Sequence, residues 1–392
     1  MVADSAVSNV QRARLEKLWL PTLLICVVAA LMLHDPLLLA ASLVGITTGL
    51  VTLGWRARAL HHVVYARQID PTRLFPGEQC SLLVTIENRK LLPVPWMTVT
   101  EVVPSGLRPV ERRQRHGSIR DIPWKQSYAP GPYQRLERRL ELTAERRGLF
   151  TLPPVTVHTG DPFALFTTTA VLGMAHTLVV YPRLLPAWSW APTAARPFGE
   201  GRAQPPSLDD PLQVTGTRDY VPGDPQRRIH WKAMARGTTL KSRVYEPSAN
   251  LALTIVLDGR TSDRSWDGVE HETLERGIEL AATAARDALD ARVPVGLLSN
   301  MLLAGSDQRL QIPIGRSGEQ LSTILESLAA LVPFFAPPLA DVLETHLPVL
   351  PFGASLLVVS AVMTDELHAI LDLCRRRGHP VILADPRDVA DV

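Results

Sequence analysis

The chain has 392 residues, 46% hydrophobic and 20% charged, with a formal net charge of +2. That balance suits two or three folded domains with a membrane-embedded portion, and it gives no global case for nucleic-acid binding. Cys26, Cys80 and Cys374 are scattered without a C-x-x-C pair, which argues against a disulfide scaffold or a thiolate zinc site.

Two apolar runs dominate the first sixty residues, Leu18 to Leu33 and Pro36 to Trp55, with only His34 and Asp35 between them. The second is long enough for a span of about 20 residues. Arg12, Arg14 and Lys17 precede the pair, Arg56, Arg58 and Arg67 follow it, and the turn carries no Lys or Arg. The positive-inside rule then places both flanks in the cytoplasm. The expectation is a transmembrane α-hairpin within residues 1–66, contacting the lipid bilayer through residues 18–55. Trp19 and Trp55 would be interfacial anchors, and both termini and the soluble domains of this multi-pass inner-membrane protein would be cytoplasmic. A signal peptide would want a small-residue cleavage site after the first run, not a second apolar run at once.

Residues 67–187 read as a β-rich domain. Ser81 to Asn88, Trp96 to Thr100, Tyr133 to Leu142, Arg147 to Leu152 and Val155 to Val157 are short strands set off by Gly/Pro turns, a spacing that suggests an immunoglobulin-like β-sandwich. Residues 188–215 turn to Ala, Pro and Gly and read as a linker or loop.

From Gly216 to Glu246 the composition changes again. Arg218, Arg227, Arg228, Lys232, Arg236, Lys241 and Arg243 stand against only Asp219, Asp224 and Glu246. Pro222-Gly223 makes a turn, Asp224 is a good N-cap and Pro225 suits a first helical position, so a short helix to about Ala235 is predicted. Arg228, Lys232 and Arg236 would line one face, with Trp231, Met234 and Ala235 beside it. Two readings stand for this basic face. It docks acidic groups of a partner through Arg218, Arg227, Arg228, Trp231, Lys232 and Arg236, or its arginines pair internally with acids of the same chain.

The ordered set Arg218, Tyr220, Gly223, Asp224, Arg227, Ile229, Trp231, Ala235 and Arg236 resembles the signature of the DUF58 family. His230 occupies a position that varies in that signature. Arg147-Gly148 and Asp161-Pro162-Phe163 with Leu165-Phe166 also match what such proteins carry upstream. The resemblance implies a partner, a MoxR-type AAA+ ATPase, and a role in complex assembly or maturation.

After Glu246 strands and helices alternate. Leu251 to Leu257, Pro294 to Ser299, Ala354 to Ser360 and Val381 to Ala384 read as buried strands, and Met301 to Pro313 as a hairpin. Gly268 to Ala291, Ser317 to Leu331 (Ser317 as cap, Gln320 at its third position) and Thr364 to Arg377 read as helices. This predicts a doubly wound α/β domain within residues 216–392. It resembles the von Willebrand factor A fold that DUF58 proteins are thought to share, whose first strand is followed by D-x-S-x-S, a divalent-metal motif. Here the stretch is Asp258-Gly259-Arg260-Thr261-Ser262. Asp258 and Ser262 fit the metal pattern, Arg260 replaces the middle serine, and a later aspartate is represented by Ser360-Ala361, with Asp365 a few residues on. Either Asp258 and Ser262 hold a divalent ion such as Mg²⁺, or they cap the next turn by local hydrogen bonds.

No P-loop, G-x-S-x-G or G-x-G-x-x-G is present. His271 and Glu275, four apart, read as an ion-paired helix surface. The expectation is therefore a multidomain, membrane-anchored, non-enzymatic adaptor without a required cofactor, set against a divalent-metal-dependent ligand-binding or hydrolytic protein using Asp258 and Ser262. No nucleic-acid partner is expected.

Overall fold

Asp35 opens a 24-residue helix, α2 (Pro36–Ala59), by accepting the Leu37 and Leu38 N–H groups on its side chain, with proline at the first helical position. An apolar helix, α1, described over Pro21–Leu33, precedes it across a turn in which His34 is left-handed (φ 51). The computed structural model describes residues 21–110, 121–164, 167–186, 209–220, 241–247, 252–262, 268–335 and 337–388. Helix α2 is long and apolar enough to cross a membrane, with a mean hydropathy of 2.0 in its most apolar stretch. Leu37, Leu43, Val44, Leu50 and Val51 point outward. Gly45 lets the two helices approach: a Cβ there would lie 3.0 Å from the Leu23 side chain. Trp19 lies outside the described residues, and Trp55 is half-buried near the end of α2.

The chain divides into two compact units, Met1–Val180 and Tyr181–Val392. In the first, only Leu60 to His62 separate α2 from strand β1 (Val63–Asp70). The strand thus begins before the boundary expected at residue 67, because all eight of its residues pair with β3 (Gln79–Asn88). Those two join β7 (Arg135–Ala144) and β5 (Leu107–Pro109) in one antiparallel sheet. A second contains β10 (Thr167–Leu172), β9 (Val155–Gly160), β4 (Met97–Val103) and β6 (Ile122–Tyr128). A third consists of β2 (Arg73–Leu74), β11 (His176–Val180) and β8 (Gly148–Leu152). Alternating residues of all three fill one core, among them Leu82, Val84, Ile86, Met97, Val99, Leu140, Leu142, Val157 and Leu178.

Arg67 corrects the sequence reading. Expected as a basic flank of the membrane segment, it is 7% exposed, and its guanidinium donates to the carbonyls of Leu152, Pro153 and Met174. The alternation of β1 turns residue 67 inward, where strand ends leave carbonyls unpaired.

In the second unit, β12 (Asp209–Asp219) pairs antiparallel with β13 (Lys241–Pro247). The strand begins inside the stretch expected to be a linker to residue 215, since its partner is β13, a strand that the alternation of Leu240, Ser242 and Val244 with Lys241, Arg243 and Tyr245 does announce but whose pairing it does not. Next come β14 (Leu253–Leu257), helix α3 (His271–Asp290), β15 (Val295–Leu303), β16 (Arg309–Gly315), helix α4 (Gln320–Ala329) and β17 (Leu331–Phe335). Helix α5 (Leu339–His346), β18 (Ser355–Val359), helix α6 (Asp365–Arg376) and β19 (Val381–Ala384) complete it. The sheet order is β16-β15-β14-β18-β19, with β14, β15, β18 and β19 parallel and β16 antiparallel at the edge; β17 also pairs with β15.

Every residue of β14 and β18 is buried because helices cover both faces. Val256, Leu356 and Val358 pack on α5 and α6 through Leu339, Leu343, Leu367, Leu371 and Cys374. On the other face Gly277 of α3 sits against Leu257 and Val359, where a Cβ would lie 3.5–3.6 Å from their methyl carbons. The helix expected over Ser317–Leu331 is shorter than predicted. Glu319 is its N-cap, and Gln320 spends its side-chain amide on the carbonyls of Val295 and Pro313 instead of closing a capping box.

Candidate functional site

Strand β14 lies between β15 and β18, so the chain's crossovers diverge beyond its C-terminal end, the crevice where open α/β sheets place their ligands. Asp258 occupies that position as the first residue after β14, its N–H bonded to Val359 O at 2.9 Å. It is 8% exposed. Its Oδ1 accepts from the Arg260 N–H at 3.0 Å and from Asn300 Nδ2 at 2.9 Å, and its Oδ2 faces the Ser360 hydroxyl at 2.9 Å. Asn300 returns its own Oδ1 to the Gly259 N–H at 2.9 Å. Thr261 accepts the Glu270 N–H at 2.7 Å, tying the loop to the start of α3. Burial pushes the Asp258 carboxyl above the ordinary carboxylate range, and these hydrogen bonds and the Arg260 charge only partly counter it.

A hard divalent cation such as Mg²⁺ takes six or more oxygen ligands, waters among them. Asp258 instead meets N–H and O–H donors, and the Arg260 guanidinium acts on it as a positive charge. The Ser262 carbonyl accepts from Arg260 Nε at 3.2 Å, and Asp365 is exposed at the first position of α6. Among the described residues no group of three His, Cys, Asp or Glu could hold a metal ion. The donor set does not fit a divalent metal. Asn300 was missed by the sequence reading because nothing in its local pattern marks it; only the parallel pairing of β14 with β15 brings it to Asp258.

Of the basic segment, Arg227, Arg228, His230, Trp231, Lys232 and Arg236 lie outside the described residues, and Arg218 is described only as part of the β12 backbone. Its stem is described. Asp219 of β12 sits opposite Lys241 of β13, and Lys241 Nζ reaches Asp219 Oδ1 at 2.7 Å. Residues 221–240 therefore leave and return at neighbouring points. His271 and Glu275 do stand on one exposed helix face, 3.9 Å apart, beside the Arg276–Glu272 pair at 2.8 Å.

A second buried polar group lies in the first unit. Glu101, 3% exposed, accepts the Tyr65 hydroxyl on Oε1 at 2.8 Å, and Gln126 accepts the Tyr128 hydroxyl at 2.6 Å. Among the described residues Glu101 Oε2 and Gln126 Nε2 have no hydrogen-bond partner. Burial raises the Glu101 carboxyl and the Tyr65 phenol, and pushes the Tyr128 phenol up to about 12.

Solved structures matched include the CARDB domain of a Pyrococcus furiosus protein in complex with di-metal ions (12% identity, 30% of this chain and 86% of that one, TM-score 0.21). A FixG-related protein from Vibrio parahaemolyticus is matched at 10% identity over 30% of this chain and 96% of that one (TM-score 0.20). Likenesses at that score carry no argument about this chain. The uncharacterized protein YeaD of Bacillus subtilis is 24% identical over 305 residues, covering 77% of this chain and 71% of its own. Residues 216–390, which include the arginine-, glycine- and tryptophan-bearing block and the whole α/β sheet, match the family described as "Protein of unknown function DUF58".

Proposed function

We propose that this protein is a membrane-anchored, non-enzymatic adaptor whose basic segment between β12 and β13 docks a MoxR-type AAA+ ATPase during assembly or maturation of protein complexes. The observation that carries the anchor is α2, an apolar 24-residue helix joined to the β-rich unit by three residues. In this reading α1 and α2 form a hairpin, the β-rich unit is an immunoglobulin-like sandwich, and both units face the cytoplasm. The α/β unit is a von Willebrand factor A-like interaction domain. What supports docking is the sequence between the paired residues Asp219 and Lys241, in which Arg227, Arg228, Trp231, Lys232 and Arg236 fall close together in the chain. The ATPase itself rests on the family resemblance.

The test is retention of a MoxR-type ATPase by the full chain in detergent micelles. Arg227→Glu combined with Arg228→Glu lowers retention at least tenfold without moving the thermal midpoint, as loss of desolvated charge contacts requires. Unchanged retention sinks the docking role. Protease treatment of inside-out vesicles digests both units if they are cytoplasmic, and their protection would reverse the orientation.

A further inference from the structure

The C-terminal end of α2 opens onto a cavity of about 270 Å³ lined by Arg58, His61, His62, Lys90 and Leu92. Four of those five residues carry basic groups, although apolar atoms make most of the exposed wall, and no carboxylate lines it. The walls are held by bonds to backbone carbonyls. Lys90 Nζ caps the helix by donating to Ala59 O at 2.7 Å, and the His62 carbonyl accepts the Arg89 N–H at 2.9 Å. His62 is held left-handed (φ 54), a costly conformation for a residue other than glycine, and its ring meets that of His61 edge-on at 4.2 Å. Beside this basic cup Leu91 is 72% exposed.

The position is as telling as the lining. The 24 residues of α2 rise about 36 Å, so its final turn emerges where a bilayer's polar headgroups begin. Clusters of basic residues next to a membrane helix attract anionic lipid headgroups. Leu91, beside the cup, would meet the acyl boundary as an apolar wedge.

We propose that this cavity binds the phosphate of an anionic phospholipid headgroup, with Arg58, His61, His62 and Lys90 as donors and Leu91 inserted beside it. The proposal rests on the membrane reading of α2 given above.

The test reconstitutes the full chain in nanodiscs of phosphatidylcholine with and without phosphatidylglycerol, and counts retained lipids by native mass spectrometry after detergent release. Selective retention of phosphatidylglycerol is expected. Arg58→Gln with His61→Gln, both exposed and neither of them part of the Lys90–Ala59 bond, should cut it by at least about fivefold, whereas Arg58→Lys keeps it. A chain that enters the discs but retains both lipids equally overturns the headgroup site and leaves the membrane anchor standing. Retention unaffected by the double variant overturns the site as well. Displacement of the lipid by millimolar inorganic phosphate would make the ligand a soluble anion and overturn the lipid assignment. A chain that fails to enter either disc overturns the anchor and this site together.

Discussion

Asn300 grips both sides of the Asp258–Gly259 junction: its Nδ2 donates to Asp258 Oδ1 and its Oδ1 accepts from Gly259 N, each at 2.9 Å. One amide thereby ties the end of β14 to the neighbouring parallel strand β15 at the position where this class of sheet ordinarily leaves room for a ligand. Asn300→Leu breaks both bonds and strips one donor from a buried carboxylate. The expected cost is about 2–3 kcal/mol, read as a lower midpoint in urea unfolding of the full chain. A loss under about 0.5 kcal/mol would mean the grip does little.

The Asp258 carboxyl sits above its unfolded value because of burial, so between those two values the folded state binds the extra proton. Its contribution to stability is intact below the ordinary carboxylate range and falls as pH rises through the raised folded value. Ser360 sharpens this, because its one hydroxyl proton is claimed by Asp258 Oδ2 at 2.9 Å and by Val362 O at 2.8 Å. The amide of Asp258→Asn can keep both Oδ1 bonds and donate to Ser360, freeing that hydroxyl for Val362. The variant should match or exceed the parent's stability at neutral pH and flatten its dependence on pH in the acid range. Marked destabilisation at pH 7 would refute it.

Metal addition separates the hydrogen-bonded carboxylate from a cation site. A specific ion at a hundredfold excess over its dissociation constant adds about 2.7 kcal/mol. Mg²⁺ or Mn²⁺ against EDTA should leave the thermal midpoint unchanged. An upward shift that Asp258→Ala abolishes would restore the metal reading, with Arg260 a tolerated departure.

Tyr65→Phe removes the hydroxyl on Glu101 Oε1 and leaves a carboxyl whose other oxygen already has no partner among the described residues. A loss of about 1–3 kcal/mol is expected, largest at neutral pH where the unprotonated acid is hardest to bury. Glu101→Gln in the Tyr65→Phe background should recover part of it, since it removes the charge. No recovery would show that the buried charge is not the cause.

Gly106 faces the Phe150 ring so closely that a Cβ would overlap it. Gly106→Ala must push the ring aside at a cost of about 1–3 kcal/mol, and Phe150→Leu in the same chain should relieve part of that cost. Strictly additive losses would place the strain elsewhere.

What was legible in the sequence follows from how local each signal is. The Thr364 cap accepting Leu367 N–H, and Gly378 at φ 89 after α6, were readable because capping involves neighbours in the chain. The apolar runs of β14 and β18 were readable because both faces of a central strand are covered. Strand β17 had no reading beyond Leu331, the last residue of the expected helix: Pro333 weakens it as a strand, and only its pairing with β15 decides its state. Arg67 was misread for a similar reason, since its partners lie more than 80 residues away. The Asp258 site was half legible: the aspartate stood out, but Asn300 reaches it only through the sheet.

The junction between α2 and β1 has a mechanical meaning. Three residues, Leu60 to His62, span at most about 10 Å, and Lys90 and Arg89 fasten them to the sheet side by their bonds to Ala59 and His62. Such a link has almost no slack, so the helix and the first sheet behave as a stiff lever rather than beads on a string. A tilt or rotation imposed on α2 is delivered directly to β1, and a load on the β-rich unit is felt at once along the helix axis.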